Sequence, residues 1–259
     1  MAYYLGIDIG SGTSKGVVAR DGTVVASYLL RSGINYKQAA QTLRTELLRA
    51  AGLTAADIAR TVATGQGGAM VEYADQQVAD LRCCARGMNN VLPDVRTIID
   101  VEGQSAQVIR INAEGLVVNF VISEKCASGA GRFLDIISNV LQIPLAEMGP
   151  LSLKSSNPVT FTTGCAVFGE SEAVSRVAEG VSREDIVAGV HKALAEKIAS
   201  LVGRVGLEQK CGMCGGGALN VGLVEWVRRR LGTDLLVPPQ PQLVTAHGAA
   251  ILAQEACQK

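Results

Sequence analysis

The first half of the chain alternates short apolar runs with turn residues, and this pattern predicts strands followed by a helix. Residues 4–10 (YLGIDIG), 16–20 and 23–30 are apolar runs, and Asp21-Gly22 is a typical hairpin turn between the last two. Residues 36–51 carry apolar positions at helical spacing, and Gly52 is a candidate C-cap. A short strand over residues 61–65 and a helical stretch to about Met88 are expected to follow.

The pattern restarts after residue 95. Residues 96–104 (RTIIDVEGQ) form a second apolar run that ends in an aspartate and a glycine, and residues 107–123 resemble a hairpin. Helices are predicted over residues 131–142, 166–179, 184–206, 221–232 and 245–257, with a strand just before Gly215. The order strand, aspartate, glycine loop, hairpin, helix therefore occurs twice. We expect an α/β protein with two related halves, residues 1–95 and 96–244, around a cleft, with the C-terminal helix (about 245–259) packing back on the first half.

Charge and composition exclude several classes of protein. The 259 residues include 24 Lys plus Arg and 24 Asp plus Glu, so no basic excess indicates a nucleic-acid partner. A hydrophobic content of 48% excludes a disordered chain. No signal peptide is recognisable and no apolar run approaches the ~18 residues that span a bilayer, so we expect a cytoplasmic protein without a membrane partner. Seven cysteines in such a chain indicate thiols or metal ligands rather than disulfides.

A glycine-rich turn follows the first predicted strand directly. In residues 8–15 (DIGSGTSK) the glycines allow the backbone to approach a phosphate, and the hydroxyls and Lys15 supply hydrogen-bond donors. Asp8, at the end of the strand, could hold a hydrated Mg²⁺. A hairpin follows where a Walker A loop or a dinucleotide fingerprint needs a helix, so neither of these motifs is present. A plain β-turn with a surface lysine is the alternative.

Two later segments repeat the arrangement. Residues 100–104 (DVEGQ) again place an aspartate and a glycine after a strand, and residues 215–220 (GGGALN) lie between a strand and a helix. Three such loops in this order resemble the actin, heat-shock chaperone and sugar-kinase superfamily. The resemblance implies an actin/hexokinase-like ATPase with two ribonuclease-H-like halves that bind ATP or ADP with Mg²⁺. The residues that it assigns to the nucleotide are Gly10, Ser11, Gly12, Thr13, Lys15, Gly103, Gln104, Gly215, Gly216, Gly217 and Asn220. Asp8 and Asp100 are the expected Mg²⁺ carboxylates.

Two cysteine motifs narrow the resemblance to one family. Residues 125–135 (KCASGAGRFLD) and 163–172 (TGCAVFGESE) resemble the two cysteine motifs of the activators of 2-hydroxyacyl-CoA dehydratases, in the BcrA/BadF/BzdP/HgdC-type ATPase family. The similarity also covers the ATG at residues 63–65. The same family includes ATP-binding components of benzoyl-CoA reductase and reductases of double-cubane cluster proteins.

Each of these cysteines, Cys126 and Cys165, immediately precedes a predicted helix, whose positive end favours a thiolate and an anionic cluster. Two cysteines cannot complete a 4Fe-4S cluster, which takes four thiolates, but a two-fold axis through the cluster would supply the other two. The resemblance implies this arrangement: a homodimer with one bridging 4Fe-4S cluster. Two buried structural cysteines are the alternative.

The implied function is ATP-driven, low-potential electron transfer to a partner iron-sulfur enzyme in anaerobic metabolism, such as a 2-hydroxyacyl-CoA dehydratase, with ferredoxin or flavodoxin as donor. Asp8, Asp100 and Gln104 are the candidate catalytic residues, with Gln104 as a water-orienting amide. The family's second loop usually reads DIGGQD, so Glu102 and Ser105 depart from it and support ATP binding better than fast hydrolysis. Alternatives are a reductase component for benzoyl-CoA reductase or a double-cubane protein, an actin-fold small-molecule kinase, and a non-hydrolysing ATP-dependent regulator.

Four further residues are interpreted as structural. Cys211 and Cys214 form a lone CxxC, half of a zinc site, and are interpreted as ordinary strand and turn cysteines. His191 and His247 have no partner in evident register for a catalytic triad. We expect each histidine to be structural, with its hydrogen bonds satisfied.

Overall fold

A computed structural model describes residues 2–123, 131–161 and 166–258. Within these ranges the strands are β1 (Tyr3–Ile9), β2 (Thr13–Arg20), β3 (Thr23–Arg31), β4 (Ile58–Thr64), β5 (Gln76–Gln77), β6 (Thr97–Val101), β7 (Ala106–Ile111), β8 (Val117–Ile122), β9 (Cys211–Cys214) and β10 (Leu235–Leu236). The α-helices are α1 (Tyr36–Ala51), α2 (Asp80–Val91), α3 (Gly131–Leu141), α4 (Leu145–Ser152), α5 (Ala166–Ala178), α6 (Arg183–Val205), α7 (Val221–Leu231) and α8 (Val244–Gln258).

The strands form two five-stranded sheets with the same topology. The first has the order β3-β2-β1-β4-β5, and the second has the order β8-β7-β6-β9-β10. In each sheet the first strand of the half pairs antiparallel with the next strand in sequence and parallel with the fourth strand, so that β6 corresponds to β1 and β9 to β4. The internal duplication inferred from the sequence is therefore present in the hydrogen-bonding pattern of the sheets.

The chain divides into two compact units. Unit 1 comprises residues 1–95, 111–118 and 238–259, and unit 2 comprises residues 96–110 and 119–237. The segment 111–118 groups with unit 1 because α2 binds it: the Arg86 guanidinium donates to the carbonyl oxygen of Glu114 at 2.6 Å, and the Asn89 amide donates to that of Ala113 at 3.2 Å.

Helix α8 belongs to unit 1 and packs on small residues. A Cβ atom at Gly6 of β1 would overlap the backbone of Ala246 and Ala250, and one at Gly248 would overlap the backbone of α2 at Cys83. Glycine at these two places allows backbone-to-backbone contact that a larger residue would prevent. The apolar face of α8 thereby covers β1 and β4, and its residues Ala249 and Ala253 lie in one core cluster with Val62 and Cys83.

The helix predicted over residues 36–51 has the predicted bounds. The Asn35 side chain accepts a hydrogen bond from the amide of Gln38 at the N-terminus, and Gly52 ends the helix in the left-handed conformation with φ of 66°. Its apolar face, which includes Leu43 and Leu47, packs against β1 and β2 in the core of unit 1. Local signals at both ends and one apolar stripe were sufficient to define this helix.

Helix α4 was not predicted, because its sequence LAEMGPLS contains a Gly-Pro pair that normally interrupts a helix. Tertiary packing outweighs this preference: Met148 is fully buried in the core of unit 2, and Gly149 lies directly against Asn220 and Gly222 of the α7 start. That core is formed mainly by α3, α6 and α7 against β6, β7 and β9.

A search of the described helices for a long apolar span found none able to cross a membrane.

Candidate functional site

The first glycine turn joins β1 to β2 and is closed by one backbone hydrogen bond, from the amide of Gly10 to the carbonyl oxygen of Thr13 at 3.1 Å. Ser32, just after β3, fixes this turn from the side. Its hydroxyl donates to the carbonyl oxygen of Gly10 at 2.6 Å, and its amide donates to that of Gly12 at 3.1 Å. A Cβ atom at Gly12 would meet nothing within 4 Å, so the face of the turn at Gly12 is open within unit 1. The turn is thus closed by several hydrogen bonds and open at Gly12, as a phosphate loop requires.

Asp8 and Lys15 form a buried ion pair beside this turn. They are cross-strand neighbours in the β1–β2 register, and Lys15 Nζ donates to Asp8 Oδ2 at 2.8 Å. The exposed fractions of the side chains are 2% for Asp8 and 8% for Lys15. An ion pair removed from water to this degree orients both groups strongly. The Lys15 predicted to contact phosphate thus contacts the predicted Mg²⁺ carboxylate.

The second glycine turn repeats the geometry of the first in unit 2. It joins β6 to β7, and the amide of Glu102 donates to the carbonyl oxygen of Ser105 at 2.9 Å, as Gly10 does to Thr13. In the described part of the chain, positive φ outside glycine occurs at Asp21 and Gln142, so Glu102 keeps a backbone conformation open to ordinary residues. The departure from the family pattern at this position therefore introduces no backbone strain.

Gln107 was missed by the sequence analysis and is the direct partner of Asp100. The two are cross-strand neighbours, and Gln107 Nε2 donates to Asp100 Oδ2 at 2.9 Å. Gln107 is 3% exposed, and its Oε1 has no hydrogen-bond partner among the described residues. Gln104, the predicted water-orienting amide, is exposed in the turn. Lys15 lies seven residues after Asp8, and Gln107 lies seven residues after Asp100. This repeated spacing is the sequence signal from which Gln107 could have been predicted.

A glycine at the end of each parallel strand completes the surroundings of each aspartate. Gly65 follows β4 with φ of 82°, and Gly215 follows β9 with φ of 79°. A Cβ atom at Gly65 would overlap Asp8 Oδ1, and one at Gly215 would lie 2.5 Å from Asp100 Oδ1. Glycine is thus required at both positions for two reasons: the backbone is left-handed, and a Cβ atom would collide with the carboxylate. Gly65 was noticed in the sequence only as part of the ATG triplet.

The loop predicted to contact adenosine lies between β9 and α7 and contains a short 3₁₀ turn, Gly216–Leu219. Asn220 ends this loop as the N-cap of α7, where its Oδ1 accepts from the amide of Leu223 at 3.0 Å. Its Nδ2 is buried and has no partner among the described residues. Asn220 therefore holds the helix with one end of its carboxamide and keeps two N–H donors available at the other.

The second glycine turn is bound to the start of α3. The amide of Gly131 donates to the carbonyl oxygen of Glu102 at 2.7 Å, and the amide of Arg132 donates to that of Gly103 at 2.8 Å. The first turn of a helix has amides without partners inside the helix, and here the turn supplies carbonyl oxygens for two of them. Two backbone hydrogen bonds thus connect residues 102–103 directly to the start of α3.

Cys126 and Cys165, predicted to hold the cluster, lie outside the described residues, as do residues 125–130 of the first cysteine motif and 163–165 of the second. Among the described cysteines, Cys257 is exposed, whereas Cys83, Cys84, Cys211 and Cys214 are buried. Burial raises the pKa of Cys83 and of Cys211 to about 12, so both thiols are neutral at physiological pH. Cys211 and Cys214 lie in β9, in agreement with their interpretation as strand cysteines.

The two histidines, His191 and His247, differ in their hydrogen bonding. His247 Nε2 lies 2.9 Å from the carbonyl oxygen of Gly22, within unit 1. The expectation of a satisfied histidine is wrong for His191: in α6 it is fully buried, and both ring nitrogens lack a hydrogen-bond partner in the described structure. Burial lowers its pKa to about 3, so the ring stays neutral.

The chemical groups of these residues suit a nucleotide and its metal ion. The carboxylates of Asp8 and Asp100 and the unpartnered Oε1 of Gln107 are hard oxygen ligands of the kind that Mg²⁺ prefers. Glycine turns and Lys15 supply the donors that phosphate prefers.

The two repeated sheets and their turns define the fold as that of the actin/hexokinase-like ATPases. A ROK family glucokinase from Streptomyces griseus, solved with glucose and AMPPNP, shares this fold at a TM-score of 0.60 and 14% identity, covering 98% of this chain and 100% of that one.

The family is defined by the sequence as a whole. A profile described as the BadF/BadG/BcrA/BcrD ATPase family matches residues 5–253, and the chain belongs to this family. The chain is 41% identical to the 2-hydroxyisocaproyl-CoA dehydratase activator of Clostridioides difficile, over 97% of this chain and 94% of that protein. It is 37% identical to the (R)-2-hydroxyglutaryl-CoA dehydratase activating ATPase of Acidaminococcus fermentans, over 99% of both.

A solved structure and a further relative support the same family assignment. The activator of the 2-hydroxyisocaproyl-CoA dehydratase from Clostridium difficile with bound ADPNP superimposes at a TM-score of 0.94, with 40% identity over 99% of this chain and 96% of that one. One of the polypeptides of the benzoyl-CoA reductase of Thauera aromatica is 31% identical over 87% of this chain and 82% of that protein. The fold class and the family predicted from the sequence are confirmed, and the chain is a member of an ATPase family.

Proposed function

We propose that this protein is the ATP-dependent reductive activator of a 2-hydroxyacyl-CoA dehydratase. In this proposal it is a homodimer with one bridging 4Fe-4S cluster, and it uses ATP to deliver single electrons of low potential to its partner. Support comes from full-length similarity to two such activators, at 41% and 37% identity.

The proposed nucleotide contacts are distributed over both units. Unit 1 would contribute the turn Gly10–Thr13 and Lys15 for phosphate, and unit 2 would contribute Gly103 and Gln104 of its own turn. The loop Gly215–Gly217 with the unpartnered Nδ2 of Asn220 would contact adenosine. Asp8 and Asp100 are the proposed Mg²⁺ carboxylates, and an exposed amide such as that of Gln104 is available to orient a water molecule.

The observation that carries the proposal is the pair of hydrogen bonds from the amides of Gly131 and Arg132 to the carbonyl oxygens of Glu102 and Gly103. The turn proposed to sense phosphate is thereby joined to the helix that begins inside the Cys126 motif. A protein that only bound ATP would not need this connection. An activator does, because the nucleotide must act on the electron-transfer centre.

Cys126 and Cys165 of each of two chains are the proposed ligands of the cluster. When bound, a 4Fe-4S cluster supplies a one-electron centre whose potential depends on hydrogen bonding and solvent access. The described residues of this chain supply the helices that begin inside the two motifs, α3 and α5, and hydrogen bonds join the first of them to the proposed nucleotide turn.

The electron acceptor is proposed to be an iron-sulfur dehydratase, with ferredoxin or flavodoxin as donor, in the cytoplasm. The similarity to a component of a benzoyl-CoA reductase keeps an aromatic-CoA reductase as a second candidate acceptor, at lower identity than that to the dehydratase activators. A small-molecule kinase would share the glycine turns but gives no reason for the two cysteine motifs.

The test is ATP-dependent reductive activation in an anaerobic assay. The purified protein, reduced ferredoxin and a purified 2-hydroxyacyl-CoA dehydratase are mixed with ATP or with AMPPNP, and dehydration is followed. ATP and not AMPPNP should support activation in the wild type. Cys126→Ser should abolish activation, whereas Cys257→Ser, which changes an exposed cysteine in α8, should leave it unchanged. Full ATP turnover without activation of a dehydratase or of a benzoyl-CoA reductase would contradict the proposal.

A further inference from the structure

Ser32 binds two carbonyl oxygens of the first glycine turn at once. Its hydroxyl donates to the carbonyl oxygen of Gly10 at 2.6 Å, and its amide donates to that of Gly12 at 3.1 Å. Ser32 lies just after β3 and is 3% exposed, so it contacts the turn from inside unit 1. The peptide groups that join Gly10 to Ser11 and Gly12 to Thr13 are therefore both oriented by the same residue.

The orientation of these two peptide groups determines which backbone atoms face a ligand. Both peptide groups are trans, and in a planar trans peptide group the N–H points opposite to the C=O. Because the carbonyl oxygens of Gly10 and Gly12 are directed at Ser32, the N–H groups of Ser11 and Thr13 point away from it. The turn thus presents two amide donors on the side opposite Ser32, as a concave anion-binding turn does.

Glycine at positions 10 and 12 makes this orientation dependent on hydrogen bonds. A peptide group next to a glycine can rotate at little cost, since glycine adopts backbone conformations that are closed to other residues. A rotated group would turn its carbonyl oxygen, rather than its N–H, toward an anion in the turn. The two hydrogen bonds from Ser32 oppose this rotation.

Ser14 extends this set of hydrogen bonds by one member. Its Oγ lies 2.8 Å from Ser32 Oγ, and both side chains are buried. A hydroxyl has a single proton, and Ser32 donates its own to Gly10, so Ser14 is the donor in the pair. A chain of hydrogen bonds therefore runs from Ser14 through Ser32 to the carbonyl oxygen of Gly10. Each bond in such a chain polarises the next, so Ser14 strengthens the bond that Ser32 makes to the turn.

The second glycine turn is bound at the corresponding carbonyl oxygen by a different group. Glu102 corresponds to Gly10, because each donates its amide to the carbonyl oxygen three residues later. The carbonyl oxygen of Glu102 accepts from the amide of Gly131 at 2.7 Å. The same peptide group is thus oriented from outside the turn in both units, by a serine hydroxyl in unit 1 and by a helix amide in unit 2. This recurrence supports a role of Ser32 in the site beyond packing.

We propose that Ser32 is the positioning residue of the first glycine turn and that it directs the N–H groups of Ser11 and Thr13 at the phosphates of the nucleotide. This inference rests on the ATP-binding function proposed above. The hydroxyl protons of Ser32 and Ser14 are both donated within the chain, so the two serines act through the backbone of the turn. Loss of either hydroxyl should therefore weaken the binding of ligands that carry phosphate and spare the binding of adenosine.

The experiment compares ADP with adenosine on the full-length protein. Isothermal titration gives the ADP affinity, and competition with ADP gives the adenosine affinity. Ser32→Ala removes the hydrogen bond to Gly10 and should weaken ADP binding by about three- to tenfold, with adenosine affinity within about twofold of the wild type. Ser14→Ala removes only the first donor of the chain and should cause a smaller loss of ADP affinity.

Ser27→Ala is the matched control, because it makes the same change in β3 at a position paired with Val17, away from the turn. It should bind ADP as the wild type does. Ser32→Thr keeps a hydroxyl and should restore most of the ADP affinity lost in Ser32→Ala. Circular dichroism and thermal unfolding verify the fold of each variant. If the Ser32 variants do not fold, the comparison of Ser14→Ala with Ser27→Ala decides.

Two results would overturn the inference while the proposed function stands. One is wild-type ADP affinity in the folded Ser32→Ala variant, or in Ser14→Ala where that comparison decides. The other is an equal loss of ADP and adenosine affinity, which would show that Ser32 supports the fold and not the phosphate donors. A wild-type protein that binds neither ADP nor AMPPNP would instead overturn the proposed function, and this inference with it.

Discussion

The amide of Gly131, the first residue of α3, donates a hydrogen bond of 2.7 Å to the carbonyl oxygen of Glu102 in the β6–β7 turn. A Cβ atom at Gly131 would lie 3.2 Å from that oxygen, so the helix and the turn are in contact with little spare room. The turn that we propose to bind nucleotide is therefore in direct contact with the helix that begins inside the Cys126 motif.

Gly131→Pro tests this connection. Proline is well tolerated at the first position of a helix but has no N–H, so the bond to Glu102 is lost while α3 is retained. We expect nucleotide binding within about fivefold of the wild type, since one backbone hydrogen bond is worth roughly 1 kcal/mol. The nucleotide-dependent change in hydrogen exchange of α3 should disappear. Exchange followed by mass spectrometry, with and without AMPPNP, measures this.

Gly131→Ala is the control for that variant, because it keeps the N–H and adds only a Cβ atom in tight contact. It should retain the response of α3 to the nucleotide. An undiminished response in Gly131→Pro would show that the hydrogen bond is not the connection.

Gly65 and Gly215 should be equally intolerant of substitution. Gly65→Ala and Gly215→Ala each force a residue with a Cβ atom into a left-handed conformation, at a cost of about 1–3 kcal/mol, and push the new Cβ against the carboxylate of Asp8 or Asp100. Both should lower thermal stability and nucleotide affinity. Differential scanning fluorimetry with and without ADP gives both quantities, and Gly232→Ala, at a left-handed helix end with open space, controls for the backbone cost alone.

The two ends of the Asn220 carboxamide can be separated by substitution. Asn220→Asp keeps the oxygen that caps α7 and removes the Nδ2 donors, so we expect wild-type stability with weakened nucleotide binding. Asn220→Ala removes both and should also destabilise the protein by about 1 kcal/mol. Chemical denaturation and ADP titration of the two variants distinguish these effects. Wild-type ADP affinity in Asn220→Asp would remove Asn220 from the nucleotide site.

His191 makes the protein sensitive to acid. Because its pKa is about 3 in the folded protein and near 6.5 when unfolded, the unfolded chain binds the proton more readily. Its contribution is fully present above pH 6.5 and is lost as the pH falls toward 3. The loss amounts to about 2 kcal/mol between pH 7 and pH 5. His191→Leu should flatten this part of the stability profile, measured by urea unfolding at several pH values. An unchanged profile would assign the acid sensitivity to other groups.

Local signals predicted much of the fold, and their limits are physical. Asn35 and Gly52 define α1 through caps that depend on neighbouring residues only. Helix α4 was not predicted, because the burial of Met148 and the contact at Gly149 outweigh the tendency of the Gly-Pro pair to interrupt a helix. Such packing cannot be seen in the pattern of residues along the chain.

The site shows the same limit. Asp8, near the end of β1, and Gly10, in the turn that follows, could be proposed as site residues from their order in the sequence alone. Gln107 and Ser32 were not predicted. Each reaches its partner from another segment of the fold, Gln107 across the β6–β7 pair and Ser32 from the end of β3 to the first glycine turn. The unpaired nitrogens of His191 could not be predicted either, because an apolar environment around one helix position depends on distant segments of the chain.

The central claim is that two chains of this protein share an iron-sulfur cluster through Cys126 and Cys165. The most direct measurement is an anaerobic count of iron and acid-labile sulfide, combined with the molar mass in solution and an EPR spectrum after reduction. We predict a dimer with about four irons and four sulfides, and loss of both in Cys126→Ser but not in Cys257→Ser. A monomer without iron after anaerobic reconstitution would contradict the claim.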